Sequence, residues 1–369
     1  MAKIGIACGG TGGHLYPGLA VAEALTALGH AVRLYVSAKD LDRAVLADYP
    51  AFDSVPLPVT GWPGYGPRLP KFFLNFWAAC RLAGRETRQQ RLDAVLGMGG
   101  FTSAPLIISA ARRGVPTLLH ESNAIPGKVT RLLARRVDAV LVGFNECARH
   151  LPGINARHTG TPIRRTLRKL AREQAAKFWG LAAAPFTVAV IGGSQGARGL
   201  NRLVIQAMAD WPPLQRDLQF IHLAGPQESD LLVANYQRNG LRAAVRPYCR
   251  AMENLYSLAD LVIARAGAAS LTELSYFGLP SILVPYPAAA EDHQTRNARI
   301  FVKAGAALMV PEGKRAAPQL ALMVPDLLAD RDRLARMSAA AAALSVRDAA
   351  RRVAEEVQRA LPANDGGGA

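Results

Sequence analysis

A histidine follows a glycine-rich turn near the start of the chain, and the pair could bind an anion and accept a proton at one place. The turn reads Gly-Gly-Thr-Gly-Gly from 9 to 13, and His14 comes next. Backbone N–H groups at such a turn, with the positive end of the following helix dipole, suit a phosphate. A neutral imidazole can act there as a general base. The alternative is a histidine that only hydrogen-bonds the loop backbone.

Glu121 is the second candidate for that proton transfer. It follows the apolar segment Thr117 to His120, which has the composition of a buried strand. A carboxylate at such a position can serve as a base, and His120 could orient it. The residues therefore leave two candidate catalytic bases, His14 and Glu121.

A second glycine-rich turn and an acidic residue indicate a nucleotide site later in the chain. The turn reads Gly-Gly-Ser-Gln-Gly-Ala from 192 to 197, and the segment 264–273 leads from a predicted strand into a helix that Gly278 ends. Glu273, in the opening turns of that helix, can accept hydrogen bonds from both hydroxyls of a ribose. Without a ligand it would only complement the helix dipole. The polar segment 291–297 follows the next predicted strand and belongs to the same site.

Both turns are preceded by short apolar runs and followed by helical patterns, which indicates a chain of two doubly wound α/β domains. Neither turn spells Gly-x-Gly-x-x-Gly, and no acidic residue ends the strand-like Ala31 to Ser37, so a dinucleotide cofactor is disfavoured. The predicted strands are 3–8, 32–37, 94–97, 117–120 and 139–142, then 187–191, 219–223, 244–246, 261–264 and 281–284. Ligands of such folds bind at the carboxyl ends of the strands, so we expect them in the cleft between the domains.

Local signals set the expected boundaries. Pro17 predicts a helix start and Gly29 its end, while 159–164 has the glycine and proline of a linker. The alanine-rich segment 339–361 is long enough for one or two helices. We expect an N-terminal acceptor domain over 1–163, with a helix at about 343–361 packed back on it, a nucleotide-binding domain over 164–342, and a disordered tail over 362–369.

Composition narrows the class further. The chain has 369 residues, of which 50% are hydrophobic, and its four cysteines are widely spaced, which predicts reduced thiols rather than disulfides or a zinc site. We expect no leader segment and no membrane-spanning helix. We also expect no metal and no cofactor, because the Asp-x-Asp at 330–332 reads as a solvated helix face.

The net charge of +16 calls for an anionic partner or for a solubility explanation. No nucleic-acid-binding motif is present, so nucleic acid is not expected. Positions 62–91 combine Trp62, Tyr65 and five further large apolar residues with basic ones, which is typical of an interfacial membrane anchor. The five are Leu69, Phe72, Phe73, Phe76 and Trp77. The alternative is that this aromatic stripe belongs to the core.

Taken together, seven motifs resemble the MurG family of peptidoglycan N-acetylglucosaminyltransferases over about residues 3–361. They are Gly-Gly-Thr-Gly-Gly-His at 9–14, Gly-x-Gly-Gly-Phe-x-Ser-x-Pro at 97–105, His-Glu-Ser-Asn at 120–123, Gly-x-Pro-Ile-Arg at 160–164, Gly-Gly-Ser-Gln-Gly-Ala at 192–197, the segment 264–273, and Asp-His-Gln-Thr-x-Asn at 292–297. Thr130 and Thr161 stand where the family often has Asn, and we assign neither of them a contact.

The resemblance implies a GT-B fold and an inverting transfer of GlcNAc from UDP-GlcNAc to the C4 hydroxyl of lipid-linked MurNAc-pentapeptide, lipid I. It also implies roles for single residues: Ser194 and Gln195 at the diphosphate, Glu273 at the ribose, Gln294 with Asn123 at the GlcNAc, and Arg164, Cys249 and Met252 around the uracil. Further substrate contacts are assigned to Thr11, Gly12, Gly13, Ala268, Ala269, Ser270, Leu271 and Thr272.

The expected partners are UDP-GlcNAc, lipid I, an anionic membrane surface contacted through about 62–91, and cell-wall synthesis proteins. The expected location is the cytoplasmic face of the inner membrane, as a peripheral protein. A UDP-sugar epimerase, another lipid glycosyltransferase of the same fold and a non-enzymatic sugar-nucleotide sensor are the alternatives.

Overall fold

The structure, a computed structural model, describes residues 1–193, 197–209, 211 and 218–362. The chain divides into two compact units. Unit 1 comprises Met1–Arg164 together with the chain from Asp348 onward, and unit 2 comprises Arg165–Arg347. The predicted disordered tail, apart from its first residue, lies outside the described residues.

Unit 1 is built on seven strands. Its strands are β1 (Lys3–Ala7), β2 (Ala31–Ser37), β3 (Ser54–Leu57), β4 (Ala94–Gly97), β5 (Thr117–Glu121), β6 (Ala139–Val142) and β7 (Ala156–His158). Its helices are α1 (Gly12–Ala27), α2 (Asp40–Leu46), α3 (Leu69–Gln90), α4 (Gly100–Ala111), α5 (Lys128–Leu133), a 3-10 turn (Ala134–Arg136), α6 (Asn145–Ala148) and the last helix of the chain (Ala349–Ala360). The strands form one parallel sheet in the order β3-β2-β1-β4-β5-β6-β7.

Unit 2 is built on six strands. Its helices are α7 (Arg172–Trp179), α8 (Arg198–Met208), α9 (Ser229–Arg238), α10 (Met252–Leu258), α11 (Ala268–Phe277), a 3-10 turn (Ala290–Asp292), α12 (His293–Lys303), α13 (Ala316–Ala329) and α14 (Arg331–Ala343), so the last helix of unit 1 is α15. Its strands are β8 (Phe186–Ile191), β9 (Leu218–Leu223), β10 (Arg242–Arg246), β11 (Leu261–Ala264), β12 (Ser281–Leu283) and β13 (Ala307–Met309). They form a second parallel sheet in the order β10-β9-β8-β11-β12-β13.

Each sheet is covered on both faces, as an all-parallel sheet requires. In unit 1, α1 and α15 pack on one face, where Leu19, Leu25 and Val353 are fully buried among strand side chains. Helices α3, α4 and α5 cover the opposite face. The two doubly wound α/β units predicted from the sequence are therefore present.

The ten predicted strands are all found, and the structure adds β3, β7 and β13. All three additional strands lie at sheet edges. The prediction that Pro17 starts a helix is wrong, since α1 begins at Gly12 and Pro17 lies within it. Gly29 does follow the end of α1, in the left-handed conformation with φ +84° that glycine adopts without strain.

Helix α3 has two unlike faces. Phe72, Ala79, Ala83 and Thr87 are buried against the unit, whereas other large apolar residues of 62–91 face outward. The exposed fractions are 39% for Trp62, 94% for Tyr65, 56% for Phe73, 67% for Leu74 and 59% for Trp77. The core interpretation of the stripe therefore holds for Phe72 and not for Phe73 and Trp77, and the membrane contact stays a prediction. Within the described chain no helix is long and apolar enough to cross a bilayer.

Candidate active site

The predicted site loops lie where the strand order of each sheet reverses. In unit 1 the reversal falls between β1 and β4, and the turns at 8–11 and 98–99 follow these two strands. In unit 2 it falls between β8 and β11, which are followed by Gly192 and Gly193 and by Arg265–Gly267. Ligands of open parallel sheets bind beside such reversal points, at the carboxyl ends of the strands.

His14 lies in the first turn of α1 and packs against Gly99 and Gly100, which follow β4. A Cβ added at Gly100 would lie 3.1 Å from Cε1 of the His14 ring, and both Gly99 and Gly100 have positive φ. Nδ1 of His14 lies 3.3 Å from the hydroxyl of Thr11, the residue that precedes α1. When Nδ1–H donates to Thr11, the lone pair of Nε2 can accept a proton.

The electrostatic surroundings keep His14 neutral. Burial lowers the pKa of His14, and the carboxylates of Glu121 and Asp42 partly offset that shift while Lys39 adds to it. An imidazole with a lowered pKa is unprotonated at neutral pH, which is the form a general base needs.

Glu121 is almost completely buried and accepts four hydrogen bonds. Its Oε1 accepts from the backbone N–H and the side-chain amide of Asn123, each at 3.0 Å. Its Oε2 accepts from the N–H of Gly127 at 2.9 Å and from the hydroxyl of Thr130 at 2.7 Å. The carboxylate therefore fixes the loop 122–130 and has its acceptor positions filled. Sequence reasoning assigned no contact to Thr130, because it stands where the family often has Asn, and the fold brings its hydroxyl to Glu121.

Asp42 organises the first glycine turn, and sequence reasoning missed it. This residue is fully buried, and its Oδ2 accepts from the N–H of Gly10 at 2.8 Å and from the N–H and hydroxyl of Ser37 at 3.0 and 2.6 Å. Lys39 donates to the carbonyl of Gly10 at 2.7 Å. Lys39 of the β2–α2 connection and Asp42 of α2 thus hold the turn that presents His14.

His120 bonds to groups other than the Glu121 side chain. Its Nε2 lies 2.9 Å from the carbonyl of Gly160, and the hydroxyl of Ser122 lies 3.4 Å from its Nδ1. Burial lowers its pKa, so the ring is neutral and Nε2–H donates to Gly160. His120 therefore ties the end of β5 to the segment at 159–161.

In unit 2, Glu273 is positioned by a buried tyrosine. It lies in the second turn of α11, and Gly278 follows that helix with φ +67°. The hydroxyl of Tyr256 on α10 donates to Oε2 of Glu273 at 2.6 Å, and Tyr256 is 2% exposed. Ala268, Ala269 and Ser270 are the first three residues of α11, so their N–H groups belong to the helix end that attracts anions. Leu271 and Thr272 follow, and the N–H of Leu271 already donates to the carbonyl of Gly267 at 3.0 Å.

Gln294 holds two connections of unit 2 together. Its Oε1 accepts from the N–H of Ala266 at 3.2 Å and from that of Tyr286 at 2.9 Å. Asn297, one turn later on α12, donates to the carbonyl of Ala266 at 3.1 Å. Arg265 donates to the carbonyls of Val284 and Pro285 and pairs with Glu312. The segment after β11 is thereby fixed by side chains from α12 and the strand ends.

The other predicted contacts are placed as follows. Cys249, in the β10–α10 connection of unit 2, and Met252, the first residue of α10, are both buried. Arg164 is the last residue of the first segment of unit 1, where its guanidinium stacks 4.4 Å from the centroid of Tyr16. Ser194 and Gln195 lie outside the described residues. Their roles, and that of Arg164 at a uracil, stay predictions.

The acidic residues of the described chain bear on whether the protein could hold a metal ion. Among these residues no group of three or more His, Cys, Asp or Glu could hold a metal ion. Asp330, from the Asp-x-Asp sequence, accepts from the N–H of Arg333 at 2.8 Å and caps α14.

Family models match both units. The glycosyltransferase family 28 N-terminal domain matches residues 4–142, and the C-terminal domain of the same family matches residues 187–353. A curated relative from Synechococcus elongatus is 40% identical over 369 residues, which cover 96% of this chain and 97% of the relative. A relative from Halorhodospira halophila is 40% identical over 357 residues, covering 95% and 96%. Both are named UDP-N-acetylglucosamine–N-acetylmuramyl-(pentapeptide) pyrophosphoryl-undecaprenol N-acetylglucosamine transferase.

The chain belongs to the MurG family. The crystal structure of Acinetobacter baumannii MurG is similar to this structure with a TM-score of 0.78 and 27% identity, over 97% of this chain and all of that one. The predicted GT-B class is thereby confirmed. The UDP-GlcNAc 2-epimerase of Neisseria meningitidis has a TM-score of 0.70 at 12% identity, over 97% of this chain and 100% of the epimerase, so it shares the fold alone.

Proposed function

We propose that this MurG-family chain transfers GlcNAc from UDP-GlcNAc to the C4 hydroxyl of the MurNAc in undecaprenyl-pyrophosphoryl-MurNAc-pentapeptide, with inversion at the anomeric carbon. The names of the relatives state the two substrates and the transferred group, and they support this reaction for the chain. The acceptor binds unit 1 and the nucleotide binds unit 2. The transfer supplies lipid II to peptidoglycan synthesis.

His14 is the general base of this reaction. The observation that carries the assignment is the difference between the two candidates. Glu121 already accepts four hydrogen bonds, whereas Nε2 of His14 keeps a lone pair when Nδ1 donates to Thr11. Glu121 acts through the loop that it fixes, and its charge keeps the pKa of His14 from falling further.

The acceptor's pyrophosphate binds at the start of α1. The N–H groups of Thr11, Gly12 and Gly13 lie at the positive end of the helix, and no acidic residue occupies its first turn. Because glycine has no Cβ, Gly12 and Gly13 leave their backbone open to close approach by the pyrophosphate. This places the reacting sugar beside His14.

The donor binds through Glu273 and Gln294. Glu273 accepts from the ribose hydroxyls, with Tyr256 holding one of its oxygens in place. Because the amide oxygen of Gln294 accepts from two backbone N–H groups, its NH₂ group is the part that remains to donate to a GlcNAc hydroxyl. The roles that the MurG resemblance implies for Asn123 at the GlcNAc and for Arg164, Cys249 and Met252 at the uracil belong to the same proposal.

The departing UDP diphosphate is stabilised by backbone N–H groups and helix ends without a metal ion. The N-terminus of α11 supplies such groups, and the glycine-rich sequence 192–197 is proposed to supply more. Turnover in excess EDTA, unchanged by added Mg²⁺ or Mn²⁺, is the expected result. Loss of turnover in EDTA with recovery on adding one of these ions would contradict this assignment.

The exposed stripe Phe73, Leu74 and Trp77 of α3, with Trp62 and Tyr65, rests on the cytoplasmic leaflet of the inner membrane, where the lipid-linked acceptor resides. Exposed aromatic rings beside basic residues favour an anionic lipid surface. Other cell-wall synthesis proteins meet the enzyme at the same membrane.

The decisive experiment supplies UDP-GlcNAc and a short-chain lipid I analogue to the purified protein. Release of UDP together with a β-linked GlcNAc–MurNAc product is expected. Formation of UDP-ManNAc without disaccharide would identify an epimerase, and binding of UDP-GlcNAc without any turnover would identify a sensor. An α-linked product would overturn the inverting mechanism.

A further inference from the structure

Glu312 lies in the connection between β13 and α13, and its carboxylate contacts two other connections of unit 2. Its Oε2 lies 2.6 Å from Nη1 of Arg265, the first residue after β11. Its other oxygen, Oε1, fills the space that a Cβ at Gly199 would need, and Gly199 is the second residue of α8. One carboxylate therefore joins the start of α8 to the segment that leads from β11 into α11.

Arg265 depends on Glu312 for its charge balance. Its side chain is 8% exposed, and Nη1 also donates to the carbonyls of Val284 at 3.0 Å and Pro285 at 3.2 Å. Because these carbonyls accept hydrogen bonds but do not neutralise the positive charge, the buried guanidinium needs an acidic partner as well. Within the described chain Glu312 is that partner. The position of Arg265, and of the segment 266–267 after it, is therefore tied to the carboxylate.

Gly199 provides the room for this carboxylate. The φ angle of Gly199 is not positive, so its backbone conformation is open to any residue. Within a helix alanine is the more stable choice. A Cβ at this position, however, would lie 2.9 Å from Cδ of Glu312, which is closer than carbon atoms pack. The glycine therefore serves the contact between α8 and Glu312.

The two connections that Glu312 joins follow neighbouring strands. Strands β8 and β11 are parallel partners in the sheet, with Ile191 opposite Ala264 at their ends. The glycine-rich sequence 192–197 and then α8 follow the first strand, and α11 follows the second. A diphosphate that accepts from both helix starts requires a fixed distance between them, because hydrogen bonds to phosphate oxygens form only over a narrow range of lengths.

We propose that Glu312 is a positioning residue of the donor site, which sets the distance between the starts of α8 and α11 around the diphosphate of the UDP-sugar. It acts through Arg265 and Gly199 and does not touch the nucleotide. This role rests on the donor site within the proposed function. A purely structural ion pair would instead stabilise unit 2 without distinguishing a nucleoside diphosphate from a nucleoside.

The variant Glu312→Gln keeps the size of the side chain and removes its charge. In calorimetry UDP should bind about tenfold or more weakly than to wild type, because the two helix starts lose their fixed spacing. Uridine, which lacks the diphosphate, should bind within about twofold of wild type. With the short-chain acceptor, the KM for UDP-GlcNAc should rise by a larger factor than kcat falls. The matched control is Glu173→Gln, at an exposed glutamate of α7 in the same unit, which should bind both ligands like wild type.

The variant Gly199→Ala tests the second contact with every charge in place. Its Cβ displaces the carboxylate of Glu312, so UDP should bind about fivefold or more weakly and uridine should bind as to wild type. Gly313→Ala is the matched control, because a Cβ at Gly313 meets no atom of the described chain within 4 Å beyond its neighbours in sequence. It should change neither affinity. Thermal unfolding shows whether each variant is folded, and Gly199→Ala carries the test alone if Glu312→Gln does not fold.

Wild-type affinity for UDP in either folded variant overturns the positioning role, because the spacing would then not depend on Glu312. Equal losses for UDP and uridine would also overturn it, since they would mean a general loosening of unit 2. A wild-type protein that binds neither UDP nor UDP-GlcNAc would contradict the proposed function itself. Failure of the positioning role and failure of the donor site are thereby distinguished.

Discussion

The hydroxyl of Tyr256 donates a 2.6 Å hydrogen bond to Oε2 of Glu273, joining α10 to α11. A carboxylate that must accept from two ribose hydroxyls is useful only when its rotamer is fixed before the nucleotide arrives. Tyr256 provides that restraint from a fully packed position. The residue pair, and not Glu273 alone, is therefore the structural unit of the proposed ribose site.

Removal of the hydroxyl in Tyr256→Phe should raise the KM for UDP-GlcNAc by about threefold to tenfold with kcat nearly unchanged, because the bond serves binding of the donor in both ground and transition states. Glu273→Ala should raise it by about tenfold or more. Steady-state kinetics and calorimetry with UDP-GlcNAc measure both changes. Tyr236→Phe, which removes a buried hydroxyl bonded to His222 in the same unit, is the matched control and should leave the donor KM unchanged.

His14→Ala should lower kcat by about 10²-fold or more while the affinity for UDP-GlcNAc stays near that of wild type. His150, an exposed histidine of the same unit, is the control, and His150→Ala should have wild-type kinetics. A His14→Ala enzyme with near-normal kcat would exclude it as the base, and acceptor positioning would then account for the rate.

The pH profile of kcat tests the same assignment. Because burial lowers the pKa of His14 and the base works unprotonated, activity should fall only as the pH drops below about 6.5, the ordinary histidine value. Glu121 raises the pKa of His14, so Glu121→Gln should move this acid limb to lower pH. An acid limb at the same pH in Glu121→Gln as in wild type would show that Glu121 does not influence the pKa of the catalytic base.

The loop function of Glu121 has its own test in Thr130. Thr130→Val removes the 2.7 Å bond to Oε2 and should cost about 1 to 3 kcal/mol of stability and raise the acceptor KM, since the loop 122–130 loses a fixed point. Thr130→Ser keeps the hydroxyl and should restore both. Chemical denaturation and kinetics with the short-chain acceptor measure the effects, and equal behaviour of the Val and Ser variants would show that the hydrogen bond is unimportant.

The central strands were predictable because a strand buried on both faces must be apolar along its whole length, as Ala-Val-Leu-Val at 139–142 is. The edge strands β3, β7 and β13 were not, although β10, also at an edge, was. Strand β3 contains Pro56, β7 reads Ala-Arg-His, and both lie at the margins of the sheet, where one side needs no partner and composition is relaxed. Short edge strands give no periodic signal to detect.

The site was predictable where its chemistry is local to one turn. Glycine turns, His14 and Glu273 could be identified because backbone N–H groups and the adjacent side chain act together within a few residues. Asp42 and Thr130 could not, because each reaches its partner only after the chain has folded. Asp42 of α2 bonds to Gly10 in the turn before α1, and Thr130 of α5 bonds to Glu121 at the end of β5. Residues that position other residues leave no motif of their own.

The membrane contact is tested by the outward side chains of α3. A replacement that includes Phe72 would unfold the helix rather than test the surface, because Phe72 is buried and packs at 5.8 Å from the ring of Phe101. The informative variant is Phe73→Ser/Leu74→Ser/Trp77→Ser. It should bind anionic vesicles at least about tenfold more weakly than wild type, since burial of each large apolar side chain contributes about 1.5 to 3 kcal/mol. Wild-type binding should also weaken with added salt and on neutral vesicles.

Activity separates a lost membrane contact from a damaged enzyme. The triple variant should retain turnover of the short-chain acceptor and lose turnover of long-chain lipid I in vesicles, because only the second substrate must be reached at the bilayer. Leu231→Ser/Leu322→Ser, which removes two exposed apolar side chains from unit 2, should keep both activities and wild-type vesicle binding. Equal vesicle binding by wild type and the triple variant would refute the anchor, since the exposed stripe would then have no part in holding the enzyme at its lipid-linked acceptor.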